Sequence, residues 1–290
     1  MSIIAIDQLV KYYGRHMGVK DVSFSVNEGE IFGFVGPNGA GKSTTIKVLM
    51  GFIYASGGSA SICGLDVAKD SKRIKAFTGY VPSDVRLYGN LQVGELLLRN
   101  AGFYEGGCMA ETDRLCALFG IDSHKRFNEL STGNKKKISI TCALAPKPKV
   151  IILDEPTSGL DPVMQRLLFD ELNRQTASGA TVLLSSHNLS EVQAYCDRVA
   201  FIRDGAILTV TDLHEAAHVR KIITVIGGND RIPNGLTLQK RDNDVRTFSS
   251  TLGGTALLEA LLPLSADDFT IENESMEAYF WNLYEEKVHE

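Results

Sequence analysis

Ile4 and Ile6, and further on Val22, Phe24 and Val26, alternate with polar residues, and this period of two predicts half-buried antiparallel strands at the start of the chain. Ile31-Phe32-Gly33-Phe34-Val35 is a continuous apolar run, as are Val150-Ile151-Ile152-Leu153 and Thr181-Val182-Leu183-Leu184. Such runs suit strands buried on both faces, so a parallel sheet is expected. Gly57-Gly58 predicts a turn into a further strand through Ile62. Between Val93 and Cys142 the spacing becomes helical, with Leu96-Leu97-Leu98, then Leu115, Leu118 and Phe119, then Ile138, which predicts a helical insert over about 90–142. A helix from Pro162 carries Val163, Leu167, Phe169 and Leu172 and is expected to stop at Gly179. Asp204-Gly205, between Val199-Ala200-Phe201-Ile202 and Ile207-Leu208, predicts a hairpin.

From about residue 216 the pattern changes to strands around Ile222-Val225 and Leu236-Leu238, a polar turn at Asp242-Asn243-Asp244, a helix at Leu257-Leu262 and a last helix from Ser275. The expected division is therefore 1–215 for a first domain and 216–290 for a small α+β appendage.

Composition adds exclusions. In 290 residues, 44% are hydrophobic and 22% charged, the balance of an ordinary globular chain. Thirty Lys and Arg against 35 Asp and Glu give a net charge of -5, so no basic field exists to hold nucleic acid. No apolar run approaches the roughly 18 to 20 residues that span a bilayer, and the start of the chain lacks the pattern of a signal peptide, so a cytoplasmic location is expected. Cys63, Cys108, Cys116, Cys142 and Cys196 form no C-x-x-C pair, and reduced packing residues are expected.

Residues 36 to 43, Gly36-Pro37-Asn38-Gly39-Ala40-Gly41-Lys42-Ser43, fit G-x-x-x-x-G-K-[ST] without mismatch, between an apolar strand and the helical run that begins at Thr44. The glycines let the backbone curl until several N–H groups and the helix N-terminus face one anion. Lys42 would reach the outer phosphates of a nucleotide, and Ser43 would offer its hydroxyl to Mg2+. Asp154-Glu155 follows an apolar strand, so both carboxylates emerge at the sheet edge where ligands bind in open α/β folds. Asp154 would hold Mg2+ directly or through water, and Glu155 would accept a proton from the water that attacks the terminal phosphate.

In this order the residues resemble the ATP-binding cassette ATPases. Tyr13 is similar to the aromatic that stacks on adenine, and residues 36 to 43 to the Walker A loop. Leu130-Ser131-Thr132-Gly133-Asn134 resembles the signature LSGGQ, keeping Ser131 and Gly133. Val150 to Glu155 resembles the Walker B strand, Ser158 to Asp161 the D-loop, and His187 the switch histidine. One position departs from the family: Gly79-Tyr80-Val81-Pro82 is followed by Ser83 where glutamine or glutamate is usual, with Asp84 as an alternative carrier of that role.

The resemblance implies an α/β fold with a P-loop NTPase (RecA-like) core, an antiparallel β subdomain, the helical insert and the α+β extension. It implies an ATPase that uses ATP and Mg2+, with Lys42, Glu155 and His187 catalytic. A second nucleotide-binding subunit would close over the ATP with its own Ser131 and Gly133; a homodimer and a paralogous partner both satisfy this. It also implies an integral membrane permease on a separate chain and a place on the inner face of the cell membrane. Ser275-Met276-Glu277-Ala278-Tyr279-Phe280 resembles the S-L-E-D-x-F segment of bacterial exporter cassettes, so export of a peptide, drug or lipid-type cargo is expected. Two rival classes are a soluble cassette acting on ribosomes or DNA, opposed by the acidic total, and a regulatory module that binds ATP without cleaving it, opposed by intact Lys42, Asp154, Glu155 and His187.

Ser131 is expected at a helix N-cap, and Lys135-Lys136-Lys137 after it as a solvated helix face. His214-Glu215-Ala216-Ala217-His218 matches the zinc-protease pattern H-E-x-x-H, but strand-like residues follow, and no zinc site is expected.

Overall fold

The computed structural model describes residues 1–87, 89–104, 107–213, 220–274 and 278. The chain divides into two compact units, Met1–Val210 and Thr211–Glu290.

The first unit is built on a ten-stranded sheet. β1 (Ser2–Tyr13) and β2 (His16–Asn27) pair antiparallel, with Ile4 opposite Val26 and Ile6 opposite Phe24, so the alternating apolar positions share one face. β3 (Ile31–Val35), β4 (Gly57–Ile62), β5 (Leu65–Asp66), β6 (Thr78–Val81), β7 (Val150–Asp154), β8 (Thr181–Ser186), β9 (Arg198–Arg203) and β10 (Ala206–Asp212) complete it in the order β5-β4-β1-β2-β10-β9-β3-β8-β7-β6. β3 runs parallel to β8 and β9, and β7 parallel to β6 and β8. Every residue of β3, β7 and β8 is buried, as strands covered on both faces require. Phe24 stacks on Phe32 with ring centroids 5.2 Å apart.

The helices of this unit are α1 (Lys42–Leu49), α2 (Ser71–Ala76), α3 (Val93–Ala101), α4 (Met109–Phe119), α5 (Thr132–Leu144), α6 (Pro162–Thr176) and α7 (Leu189–Tyr195). α3 to α5 form the helical insert, where Val93, Leu96, Leu97, Phe127 and Ile138 make a separate small core. Leu98, third of the leucine run, is 59% exposed, because successive helical residues cannot all face one side. α6 ends at Thr176, before Gly179. Gly57 and Gly58 lie inside β4 rather than ahead of it; Gly58, at φ +74°, presses against the backbone of Gln8, where a side chain would not fit. Asp204 and Gly205 both have positive φ and turn β9 into β10, as the hairpin pattern predicts.

The second unit has a four-stranded antiparallel sheet, β11 (Lys221–Ile226), β12 (Thr237–Asp242), β13 (Val245–Ser250) and β14 (Asp268–Asn273), in the order β12-β13-β11-β14. Helix α8 (Gly254–Leu261) contributes Leu257 and Leu261 to a core with Ile223, Val225, Leu236, Phe248 and Leu264. Arg246 is buried there, and its guanidinium donates to the carbonyls of Gly227 and Asn229. His214 to His218 and the expected last helix from Ser275 lie outside the described residues, apart from Ala278. Among the described residues no helix is long and apolar enough to cross a membrane, and all five cysteines are free thiols.

Candidate active site

Buried strand β3 delivers the chain into Gly36 to Ser43, and the loop turns directly into α1. Gly39 and Gly41 take φ of +84° and +110°, a region where a side chain is strained. A Cβ on Gly36 would run into the carbonyl of Ile202 on β9, so the loop is pressed against the sheet edge. The result is a cleft of about 330 Å³ lined by residues 37 to 44 together with Gly18, Ser83 and Glu155. Pro37, Asn38 and Gly39 are exposed at its rim, while Gly36 and Ala40 are buried beneath.

Lys42 is only 6% exposed. Its Nζ donates to Gly36 O at 2.6 Å and Pro37 O at 3.3 Å and meets Glu155 Oε1 at 3.3 Å. The other oxygen of that carboxylate, Oε2, lies 2.8 Å from His187 Nδ1. Ser43 Oγ donates to Asp154 Oδ1 at 3.1 Å. Asp154, at the end of β7, is 1% exposed and accepts a second bond from Ser185 Oγ at 2.7 Å. Burial first, and then the Asp154 charge, push the nearby Tyr80 phenol up to about 12. Three loops of distant sequence thus meet through a single chain of polar contacts.

Glu155 has φ +49°, a left-handed conformation that costs a non-glycine residue roughly 1–3 kcal/mol. Its N–H is held by Ser185, through Oγ at 3.1 Å and the carbonyl at 3.2 Å. Strand β8 therefore fixes the direction in which the Glu155 side chain leaves β7. Ser185 matches no motif in the sequence; the signal that marks it is the hydroxyl pair Ser185-Ser186 closing a buried strand.

Tyr13, at the end of β1, is 47% exposed; its hydroxyl lies 3.5 Å from Thr44 Oγ1, and its ring covers Gly18. Ser131 caps α5, accepting from Asn134 N at 3.3 Å, and Asp161 caps α6, accepting from Met164 N at 3.0 Å. Neither Ser131, Gly133 nor Asp161 lines the cleft. A Cβ on Gly133 would sit 2.5 Å from Gly159 O, so the 131–134 turn is packed against the 158–161 turn. Ser83 is exposed at the cleft, and Asp84 pairs with Arg86 at 2.7 Å.

The lysine triplet corrects an expectation. Lys135 and Lys137 are partly exposed, but Lys136 is buried at 1% exposure. It turns inward because three backbone carbonyls, from Pro82, Ser83 and Glu155, are within reach of its ammonium. No local pattern marks which lysine of a triplet meets such acceptors.

A family profile described as "ABC transporter" matches residues 19–158, and one described as an AAA domain matches residues 126–193. The probable multidrug ABC transporter ATP-binding protein YbhF of Escherichia coli is 34% identical over 212 residues, 71% of this chain and 36% of YbhF. The chain thus spans little more than a third of that relative. The linearmycin resistance ATP-binding protein LnrL of Bacillus subtilis is 33% identical over 253 residues, 84% of this chain and 81% of LnrL. A solved structure of an ATP-binding subunit of an ABC transporter superposes with a TM-score of 0.68 at 32% identity, covering 74% of this chain and 92% of the other. With a phosphate loop closed on an acidic strand end, and with LnrL and the solved ATP-binding subunit matched over most of their length, the chain belongs to the ATP-binding proteins of the ABC transporter family.

Proposed function

We propose that this chain hydrolyses ATP as one half of a pair and drives a separate membrane permease that exports its cargo from the cytoplasmic side. The observation that carries the reading is the Glu155 carboxylate, held by Lys42 on one oxygen and His187 on the other at the wall of the phosphate-loop cleft. The triphosphate of ATP takes the N–H groups of the loop and the start of α1, and Lys42 exchanges its carbonyl and Glu155 partners for phosphate oxygens. Glu155 Oε1, so released, accepts a proton from water as that water's oxygen bonds to the terminal phosphorus and the bond to the bridging oxygen breaks, leaving ADP and phosphate. His187 orients the carboxylate through Nδ1.

Ser43 and Asp154 form an all-oxygen pair whose donors already lie 3.1 Å apart, a set that fits a hard divalent cation. Mg2+ bound there would neutralise charge on the phosphates. Tyr13 offers a half-exposed ring beside Thr44 for adenine. Asp161 holds the start of α6 beside the Gly133 turn. Residues 1–215 act in this reading as the nucleotide-binding domain and 216–290 as an accessory domain. The relatives YbhF and LnrL, named for multidrug transport and linearmycin resistance, support export.

Ser131 and Gly133 lie outside the cleft of their own chain, and in this reading each serves the site of a second subunit. The test is complementation. Lys42→Ala and Gly133→Asp chains are each expected to be inactive alone. Mixed one to one they should recover about a quarter of wild-type phosphate release, since half of the pairs are mixed and each mixed pair has one intact site. No recovery would overturn the shared-site reading.

A further inference from the structure

Lys136 places an ammonium where burial alone is costly. Only 1% exposed, it has no carboxylate within hydrogen-bonding distance among the described contacts; its Nζ donates to Pro82 O at 2.9 Å, Ser83 O at 2.9 Å and Glu155 O at 3.2 Å. Three donors thus meet three carbonyls, which matches the capacity of a lysine head group. Desolvation lowers its pKa, opposed by the fields of Asp154, Glu155 and Asp84. A side chain needed only to fill this space would be apolar, since taking an ion out of water costs several kcal/mol, about what its interactions return. The charge is spent instead on joining two segments, Pro82-Ser83 after β6 and Glu155 after β7, beyond the last strand pair at Val81 and Leu153, where Ser83 and Glu155 both line the cleft.

The Glu155 peptide plane is the strained part of the site, at φ +49°. Ser185 holds its N–H, and Lys136 at 3.2 Å and Ser158 N at 3.4 Å donate to its C=O, so the residue is pinned at both ends of its backbone, with Lys136 the one donor that also reaches the Pro82-Ser83 segment. The side chain of Ser83 is short and exposed, and its carbonyl rather than its hydroxyl carries the connection to Lys136.

We propose that Lys136 is a positioning residue, an ammonium staple that joins the Pro82-Ser83 segment to the backbone of Glu155 and so sets the direction of the Glu155 carboxylate. The proposal rests on reading Glu155 as the general base. A displacement of the Ser83 segment is then transmitted to the base through two carbonyls that share one head group, and turnover changes without a change in the phosphate loop.

The experiment measures phosphate release and the binding of a fluorescent ATP analogue by the full chain carrying Lys136→Met or Lys136→Gln, with Glu155 intact or changed to Gln. Lys136→Met, similar in volume, is expected to lower kcat about 30-fold with KM and analogue Kd within about twofold, because misdirection of a base affects the transition state alone. Lys136→Gln keeps two N–H donors and should return kcat to within about fivefold of wild type. With Glu155→Gln, Lys136→Met should add less than about threefold, since the group it positions is already gone. The proposal is overturned if Lys136→Met keeps wild-type turnover, if both Lys136 variants lose nucleotide binding along with turnover, or if Lys136→Met has the same effect in both backgrounds. Wild-type turnover by Glu155→Gln alone would overturn the base reading itself, whatever the Lys136 variants do.

Discussion

Glu155→Gln is expected to lower kcat for ATP hydrolysis about 10³-fold while leaving the Kd for ATP within about threefold. Glutamine has nearly the shape of glutamate, and its amide oxygen still accepts from Lys42 on the Oε1 side. What it lacks is the ability to take a proton from water. The phosphate loop, Lys42 and the Ser43 to Asp154 contact all lie outside the changed group, so the groups proposed to bind ATP stay in place. Loss of the negative charge also leaves Lys42 without a carboxylate competitor for the incoming phosphates, which favours binding. Single-turnover phosphate release and calorimetric ATP titration separate the two effects. Unchanged turnover would remove Glu155 from the mechanism, and loss of binding with turnover would make it a structural residue.

A second large effect is expected where the helical insert meets the parallel-sheet layer. Glu171 on α6 is 2% exposed; its Oε2 accepts from Arg114 at 2.7 Å and from Arg174 Nε at 3.0 Å, and its Oε1 from Arg174 Nη2 at 2.7 Å and Gln175 at 3.0 Å. Arg114 and Arg174 are shared with Glu111 on α4, at 2.6 and 2.5 Å. Breaking a buried pair from one side costs about 3–5 kcal/mol, and the lower end applies because both arginines are partly exposed and regain water. Glu171→Ala should therefore destabilise the first unit by about 3 kcal/mol near neutral pH. Burial raises the pKa of both carboxyls, but the arginine partners, with Lys147 at Glu111 and Gln175 at Glu171, more than reverse this, and both end below the ordinary value.

With the folded pKa depressed, the unfolded chain binds protons first as pH falls. The stabilisation is complete above the unfolded value of about 4.3 and is lost as pH falls through the lower folded value. Urea unfolding at pH 7 should show the full difference between wild type and variant, and a series carried below about pH 4 should show it shrinking. A difference that stays constant on acidification would refute the charge account.

The phosphate loop was legible because its mechanism is local: an apolar strand, a glycine-rich turn and a helix start occupy consecutive residues, and the structure puts them in that order. The parallel strands were legible for a similar reason, since burial on both faces leaves an uninterrupted apolar run. In the second unit the sequence pattern does not mark β13 and β14. β14 is exposed along its length and has too few buried apolar positions to show a pattern; its strand geometry comes from antiparallel pairing with β11. β13 alternates only from Val245 to Phe248, and one of the inward residues there is Arg246, a charge accepted because two turn carbonyls receive its protons.

By itself, the sequence determined the nucleotide-binding chemistry and the class of fold. Residues 36 to 43, the acidic end of β7 and the alternation of β1 and β2 each act through neighbours in the chain, so their meaning survives without coordinates. Tertiary structure alone decided how Glu155 is aimed and which lysine of a run of three is structural. Ser185 lies 30 residues from Glu155, and Lys136 lies 54 residues from Pro82. Whether a polar group is solvated or buried depends on what the rest of the chain brings to it, and a buried ammonium is tolerated only where folding supplies acceptors for all its protons. That matching of donors to distant carbonyls has no period, spacing or motif along the chain; it exists only once β6, β7 and α5 are packed.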